Sequence, residues 1–220
     1  MEIISGCTIL ETEAGKLGIR MLTESSDYLA GNFHFSEMEK REFQSLKNET
    51  RRREYLAVRI LVEAMLGKKV KIEYSQNGKP LLKNYPLKIS ISHSADMAIV
   101  LLSEKNIGAD VEKTDRNTER VATRFLSVKE LNCIQNSPNP SVLQVLYWSA
   151  KEAAFKFSDV PEIEFKEHIV IHPFELNPEG GKFSGILCKK APPTILAFHY
   201  LFFQNNVIVC CVEEESKFEK

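Results

Sequence analysis

The residues best equipped for chemistry lie in two short stretches, Ile107-Gly108-Ala109-Asp110-Val111-Glu112-Lys113 and Trp148-Ser149-Ala150-Lys151-Glu152-Ala153-Ala154-Phe155-Lys156. In an extended strand Asp110 and Glu112 point to one face and Val111 to the other. Two carboxylates side by side repel unless a cation sits between them. Oxygen-only ligation suits a hard ion such as magnesium, which leaves positions open for water and substrate phosphate. In a helix Trp148, Glu152 and Lys156 stand at successive i+4 steps and form one column. If Glu152 joins Asp110 and Glu112, three carboxylates meet one ion, with Lys156 a turn further on. Each stretch also has a plainer reading. The first is then a strand running into a solvated turn, and the second an exposed Glu–Lys pair worth only ~0.3 kcal/mol beside an incidental tryptophan.

The elements that must position these groups are readable around them. Asn139-Pro140 supplies an N-cap followed by proline at the first helical position. Leu143, Leu146, Tyr147, Ala150 and Ala154 then recur at helical spacing, which places the Trp148 column on roughly the opposite, wet side. Met97 to Leu102, a polar turn at Glu104-Lys105-Asn106, and Ile107 to Val111 predict two antiparallel strands. Upstream, Ser36 and Glu39 form a capping box, and a longer helix runs from about Glu49 to Leu66 and stops at Gly67. Tyr55, Val58, Val62 and Met65 mark its buried face, and Leu56 with Ile60 widen the stripe. Its start carries Arg51, Arg52 and Arg53, although cations at a helix N-terminus oppose the macrodipole.

The remaining segments read more locally. Met1 to Met21 predicts a strand or two with Gly15 and Gly18 in turns. Val70 to Tyr74 is a strand meeting the turn Asn77-Gly78-Lys79-Pro80. Lys88 to Ile91 is another, ending in Ser92-His93-Ser94. Those flanking serines belong to no Gly-x-Ser-x-Gly elbow. After Lys113 the chain is polar and then helical from about Glu119, where Arg116, Arg120 and Arg124 stand at i, i+4, i+8 with Val121 and Phe125 on another face. That column either steers an acidic partner or is a solvated face balanced by Glu119 and Glu130. Ser127 and Glu130 form a second capping box, opening a helix through Ile134. Ile169 to Ile171, Ile195 to Phe203 and Val207 to Val212 read as strands, the last two as a hairpin. Tyr55-Leu56-Ala57-Val58-Arg59 faintly echoes Tyr147-Trp148-Ser149-Ala150-Lys151, each in a long helix flanked by strands.

Composition limits the partners. The 220 residues suffice for one large domain or two small ones, 43% hydrophobic and 27% charged, with a formal net charge of -1. No global field therefore draws the chain to nucleic acid or anionic membrane, and any basic site must be local. No apolar run reaches membrane-spanning length, and the first residues lack a secretory pattern. Cys7, Cys133, Cys188, Cys210 and Cys211 are odd in number and scattered, as reduced thiols of a cytoplasmic protein would be.

The two acidic stretches together resemble the paired signature of the 4'-phosphopantetheinyl transferase superfamily, and upstream motifs from about Lys40 extend the likeness. Chain length and those motifs resemble its longer, monomeric type, which activates carrier domains of peptide synthetases and fatty acid synthases. The resemblance implies an α+β fold of two similar α/β halves related by a pseudo-two-fold, with the substrate between them; the boundary is placed near Lys105, giving halves of residues 1–105 and 106–220. It implies Asp110, Glu112 and Glu152 as ligands of Mg2+ and Lys156 as a phosphate contact. Arg51-x-x-Glu54-x-Leu56-Ala57-x-Arg59 is similar to the family's pattern, which gives Arg51 the 3'-phosphate of coenzyme A and Arg59 a supporting role. Lys40 lies in a further basic segment, although Phe43 stands where the family has a second lysine. Gly78, Lys79 and Pro80 match the adenine-side loop, Ser92 a diphosphate contact and His93 a second 3'-phosphate contact. Ala109 replaces a larger aliphatic residue.

The reading implied is transfer of 4'-phosphopantetheine from coenzyme A, as substrate, to a serine of an acyl or peptidyl carrier protein, releasing adenosine 3',5'-bisphosphate. Glu152, directly or through a bound water, is the group to take the serine proton. The metal and Lys156 would neutralise charge on the diphosphate. Two rivals stay open: another magnesium-dependent enzyme acting on a nucleotide diphosphate, and a catalytically silent relative that binds coenzyme A or a carrier.

Overall fold

The computed structural model describes residues 2–4, 6–158, 160, 162–189 and 191–214. Strands β1 (Glu2–Ile4), β2 (Cys7–Thr12) and β3 (Gly15–Met21) are followed by the short helices α1 (Ser26–Gly31) and α2 (Glu37–Ser45) and the long helix α3 (Glu49–Leu66). A small hairpin of β4 (Ile72–Tyr74) and β5 (Pro80–Leu82) precedes β6 (Lys88–His93) and β7 (Met97–Ser103). These build an antiparallel sheet of order β1-β2-β3-β7-β6. Helix α3 starts where Asn48 accepts the Arg51 N–H (3.2 Å) and stops at Gly67, whose φ of 66° suits a residue without Cβ. Ala57, Val58, Leu61, Val62 and Met65 seat it on Ile9, Ala98, Val100 and Leu102. Each such fully buried aliphatic side chain contributes about 1.5–3 kcal/mol. Gly18 lies within β3 rather than in a turn. A Cβ there would stand 2.5 Å from Met65 Sδ, so glycine is what lets α3 approach.

The second half repeats the plan. After β8 (Ile107–Lys113) come a 3-10 turn at Glu119–Val121, α4 (Ala122–Phe125), α5 (Val128–Gln135) and the long helix α6 (Pro140–Phe157). The short α7 (Phe165–His168) leads to β9 (Ile169–Ile171), β10 (Gly181–Leu187), β11 (Thr194–Phe203) and β12 (Asn206–Glu213), in a sheet of order β8-β12-β11-β10-β9. The motif strand–helix–hairpin recurs: β3, α3 and β6–β7 give order β3-β7-β6, while β8, α6 and β11–β12 give β8-β12-β11. In both, the hairpin's second strand inserts beside the strand that precedes the helix. Both long helices have 18 residues. The fold is α+β with two similar halves related by a pseudo-two-fold.

The two sheets pack face to face, each covered outside by its helix. Leu17, Ile19, Ile99 and Leu101 from one meet Ile107, Ala109, Val111, Ile208 and Cys210 from the other. Strands β7 and β8 were expected to pair, yet they lie in different sheets. The reason is burial: β7 is hydrophobic on both faces and sits between β3 and β6, whereas β8 pairs with β12. Where edge strands β6 and β8 approach each other, Ser90 Oγ accepts the Ala109 N–H at 2.9 Å. Both expected capping boxes are present, at Ser36/Glu39 and Ser127/Glu130. Asn139 makes no side-chain cap, and Pro140 alone marks the start of α6. Arg116 stands in a turn rather than on a helix, so the expected basic column shortens to the exposed Arg120 and Arg124. Phe125 is buried as expected. Cys133, Cys188, Cys210 and Cys211 are free thiols, and among the described residues no helix is long and apolar enough to cross a membrane.

Candidate active site

The alternation of β8 decides what faces α6. Ile107, Ala109 and Val111 turn toward the first sheet, so Gly108, Asp110 and Glu112 turn toward the helix. Gly108 is required by closeness: a Cβ there would stand 1.9 Å from Ala153 O and 2.7 Å from Phe157 N. The helix therefore lies almost directly on the strand, and the column Trp148, Glu152, Lys156 faces the two carboxylates instead of open water. Trp148 Nε1 donates to Glu112 Oε1 (2.9 Å), Ser149 Oγ to Asp110 Oδ2 (2.9 Å), and Lys156 Nζ to Asp110 Oδ1 (2.8 Å).

Ser92, on edge strand β6 of the other half, completes this knot. Its hydroxyl donates to Asp110 Oδ1 at 2.8 Å and accepts from Lys156 Nζ at 2.8 Å. Asp110 is thus buried but fully partnered. Glu112 also holds the guanidinium of Arg116, which lies over the Trp148 ring with its centre 5.0 Å from the centroid. Glu152 differs: no hydrogen bond or ion pair joins its carboxylate to the described residues. Burial pushes its pKa above the usual carboxylate value of 4.5, and the negative charges of Asp110 and Glu112 add to that. Burial likewise raises Glu112, with Asp110 adding to the shift and Arg116 opposing it. A buried group of anions with one member unpartnered is short of positive charge. Among the described residues no three His, Cys, Asp or Glu side chains are drawn together as a closed ligand set. The physical reason is visible, since Lys156 and Arg116 hold two of the three carboxylates.

The first half contributes phosphate-type donors. Arg51 Nη1 stands 3.3 Å from His93 Nε2 and donates to Glu54 Oε2 at 2.9 Å, while His93 Nδ1 lies 3.2 Å from Glu54 Oε1. Burial holds the His93 pKa below 6.5, with Glu54 opposing the shift and Arg51 adding to it. The pattern fits a neutral ring with its proton on Nδ1. A cleft of about 500 Å3 between the halves is lined by Arg51, His93 and Ser94 on one side and by Glu112, Lys113 and Arg116 on the other. The turn after His93 is anchored across the halves. Ser94 Oγ donates to Asn206 Oδ1 (2.8 Å), and Lys113 pairs with Asp96.

Five predicted residues sit elsewhere, three of them in one turn. Lys40 is exposed on α2. Arg59 is buried between α2 and α3, over the Tyr55 ring (3.2 Å) and paired with Glu39 (3.6 Å) and Glu42 (3.2 Å), outside the cleft lining. Lys79, in the Gly78-Lys79-Pro80 turn, reaches Asn106 Oδ1 (3.4 Å) and the carbonyl of Phe157 (3.5 Å) at the end of α6.

Residues 106–211 match the family model of the 4'-phosphopantetheinyl transferase superfamily. Over that stretch the chain is similar to this superfamily. No curated protein matches the chain. The match runs from the start of β8 into β12 and contains Asp110, Glu112, Glu152 and Lys156. The match supports a phosphopantetheinyl transferase role for the second half. Sequence reasoning missed one buried ion of this transferase half. Lys151 is fully buried and donates to Glu130 Oε2 (2.9 Å), Phe165 O (3.0 Å) and Ile169 O (2.7 Å). Glu130 consequently does not balance the arginines of the neighbouring turn. The signal was its position i+4 from Tyr147, inside the apolar stripe.

Proposed function

We propose that this protein transfers 4'-phosphopantetheine from coenzyme A to a serine of an acyl or peptidyl carrier protein, with Mg2+, releasing adenosine 3',5'-bisphosphate. The observation that carries the proposal is the meeting of β8 and α6, which gathers Asp110, Glu112, Glu152 and Lys156 beside a cleft whose other wall holds Arg51 and His93. The residues present fit a magnesium ion. They offer hard carboxylate oxygens, and the anion cluster, with Glu152 unpartnered, lacks positive charge. Asp110, Glu112 and Glu152 would hold the ion, and when bound it supplies neutralising charge to the diphosphate.

The chain's own groups have definite tasks in this reading. Arg51 and His93 bind the 3'-phosphate, and the Gly78-Lys79-Pro80 turn, tied by Lys79 to the end of α6, flanks the adenine. Lys156 has three N–H donors and uses two on Asp110 and Ser92. The third is free for a diphosphate oxygen, on which charge grows as the bond to the adenylate side breaks. Ser92 orients Lys156 and Asp110 from across the halves and meets the diphosphate beside them. Glu152, directly or through a bound water, accepts the proton of the serine hydroxyl, a role open to a carboxylate with no hydrogen-bond partner among the described residues. Arg59 acts indirectly, binding α2, which carries Lys40, to α3, which carries Arg51. The boundary between halves falls at Lys105–Asn106. One chain supplies both walls of the cleft, which supports a monomer, and the scattered cysteines, odd in number, fit a protein of the cytoplasm.

The test is incubation of the protein with apo carrier protein, coenzyme A and magnesium. The carrier is expected to gain the mass of phosphopantetheine on its serine, and Glu152→Ala to abolish the gain while the fold is kept. A folded protein that binds coenzyme A but leaves every carrier unmodified would overturn the proposal in favour of a silent binder.

A further inference from the structure

We propose that Arg116 is a built-in counter-ion for Glu112, displaced when a divalent cation enters, and that Trp148 reports the exchange. This rests on the reading of Asp110, Glu112 and Glu152 as magnesium ligands. A turn after Lys113, closed by the Arg116 N–H to Lys113 O bond of 3.1 Å, folds Arg116 back over the end of β8. Its guanidinium pairs with Glu112 Oε1, the same oxygen that accepts the Trp148 indole N–H at 2.9 Å, and covers the Trp148 ring. One carboxylate oxygen with two donors already on it cannot also take a metal while a guanidinium sits there, because two positive groups would share it. Exchange is the alternative to joint occupancy.

The two partners are unequally held. The Glu112 side chain is 13% exposed, whereas that of Arg116 is 42% exposed and hangs in the cleft that Arg51 and His93 also line. Arg116 can therefore leave toward solvent, or toward the phosphates of a bound nucleotide, without opening the fold. Until it leaves, it satisfies a carboxylate that burial and Asp110 would otherwise leave repelled. A resident competitor of this kind weakens apparent metal affinity by the factor by which the occupied state outweighs the free one. For a partly exposed ion pair that factor is roughly 1.5- to fivefold.

The test uses the full chain without coenzyme A or carrier. Mn2+ binding is measured by electron paramagnetic resonance, and emission of the single tryptophan is followed during Mg2+ titration. Wild type is expected to bind Mn2+ and to change its Trp148 emission with Mg2+. Arg116→Gln is expected to bind Mn2+ about 1.5- to fivefold more tightly. Its metal-free emission should already resemble the loaded wild type, so that little further change occurs. Unaltered Mn2+ affinity, or tighter binding with the full emission change still present, overturns the exchange alone. The second outcome would mean that Arg116 acts only through its charge at a distance. Absence of Mn2+ binding in both proteins, or binding by Glu112→Gln as tight as wild type, overturns the metal-site reading and the exchange with it.

Discussion

Lys151 lies next to Glu152 in the signature helix, yet the structure makes it a fastener. All three of its N–H donors are used, on Glu130 and on the carbonyls of Phe165 and Ile169. Glu130 in turn accepts the Ser127 N–H (2.7 Å) and the Ile171 N–H (3.0 Å). The pair therefore joins α5, α6, α7 and β9 at one buried point. Burial lowers the Lys151 pKa, with Glu130 opposing the shift, so the charge persists because of its partner. Lys151→Met keeps most of the volume but strands a buried anion and leaves two carbonyls without their donor. Breaking a buried pair from one side costs about 3–5 kcal/mol. In a chain of this size that lowers Tm by roughly 6–20 °C. Adding Glu130→Gln removes the stranded charge and is expected to recover at least ~1 kcal/mol, since the double variant lacks the uncompensated ion. Urea unfolding of the single and double variants measures both quantities, and the KM for coenzyme A of the folded fraction should stay near wild type. A Lys151→Met protein of wild-type stability whose turnover collapses would refute the structural assignment and make Lys151 a catalytic group.

Three other outcomes follow from the geometry. Gly108→Ala puts a methyl group where Ala153 O stands 1.9 Å away, and overpacking of this kind costs about 1–3 kcal/mol; thermal melts should show it, with kcat falling because α6 must shift relative to Asp110, and a wild-type melt with full turnover would contradict the close contact. Arg51→Ala and His93→Gln should each raise the KM for coenzyme A roughly tenfold, as expected for a lost charged hydrogen bond, and much less for dephospho-coenzyme A; equal penalties with both substrates would return these residues to packing. Burial holds the folded His93 pKa below 6.5, whereas a dianionic phosphate raises it. Coenzyme A binding should therefore take up a proton and tighten as pH falls from about 7.5 toward 6. Calorimetry in buffers of different ionisation enthalpy checks this, and the same uptake in His93→Gln would disprove it.

What the sequence made legible was local. Helix α3 ends at Gly67 as its periodicity and glycine require, both capping boxes form, and the face of β8 that carries Asp110 and Glu112 follows from alternation. Strand β10 and helix α1 were missed. In β10 the alternation is blurred by Gly185 on the buried face and Ile186 on the other, and α1 is a six-residue helix capped by Ser25. What could not be read was which element each strand meets. The polar turn between Ser103 and Ile107 suits a hairpin, but β8 finds its partner in β12, near the chain's end. For the same reason Trp148 looked solvent-facing. Its apolar stripe was correct, yet the opposite side of α6 is covered by β8, and only Phe155 of that neighbourhood is strongly exposed. The candidate site residues stand in the sequence as types and spacings, whereas the hydrogen bonds across the halves, Ser92 to Asp110 and Ser94 to Asn206, depend on tertiary pairing.

The faint echo between the two long helices has a physical content that alignment of letters understates. In each half a short helix opens with a capping box whose glutamate, Glu39 or Glu130, also grips a buried cation one helix later, Arg59 or Lys151. The cation lies four residues after a tyrosine in both, Tyr55 or Tyr147. One glutamate thus ends a helix's orphan donors and neutralises a buried charge, so the short helix and the long one cannot part without exposing both costs. The device is the same in the two halves, and it lies away from the cleft. The proposed chemistry sits where the halves differ: Arg51 and His93 on one wall, Asp110 and Glu112 on the other, with Ser92 reaching across. A repeated fastener on the outside leaves the inner faces free to diverge, and a cleft between unlike faces can bind a substrate whose two ends are unlike.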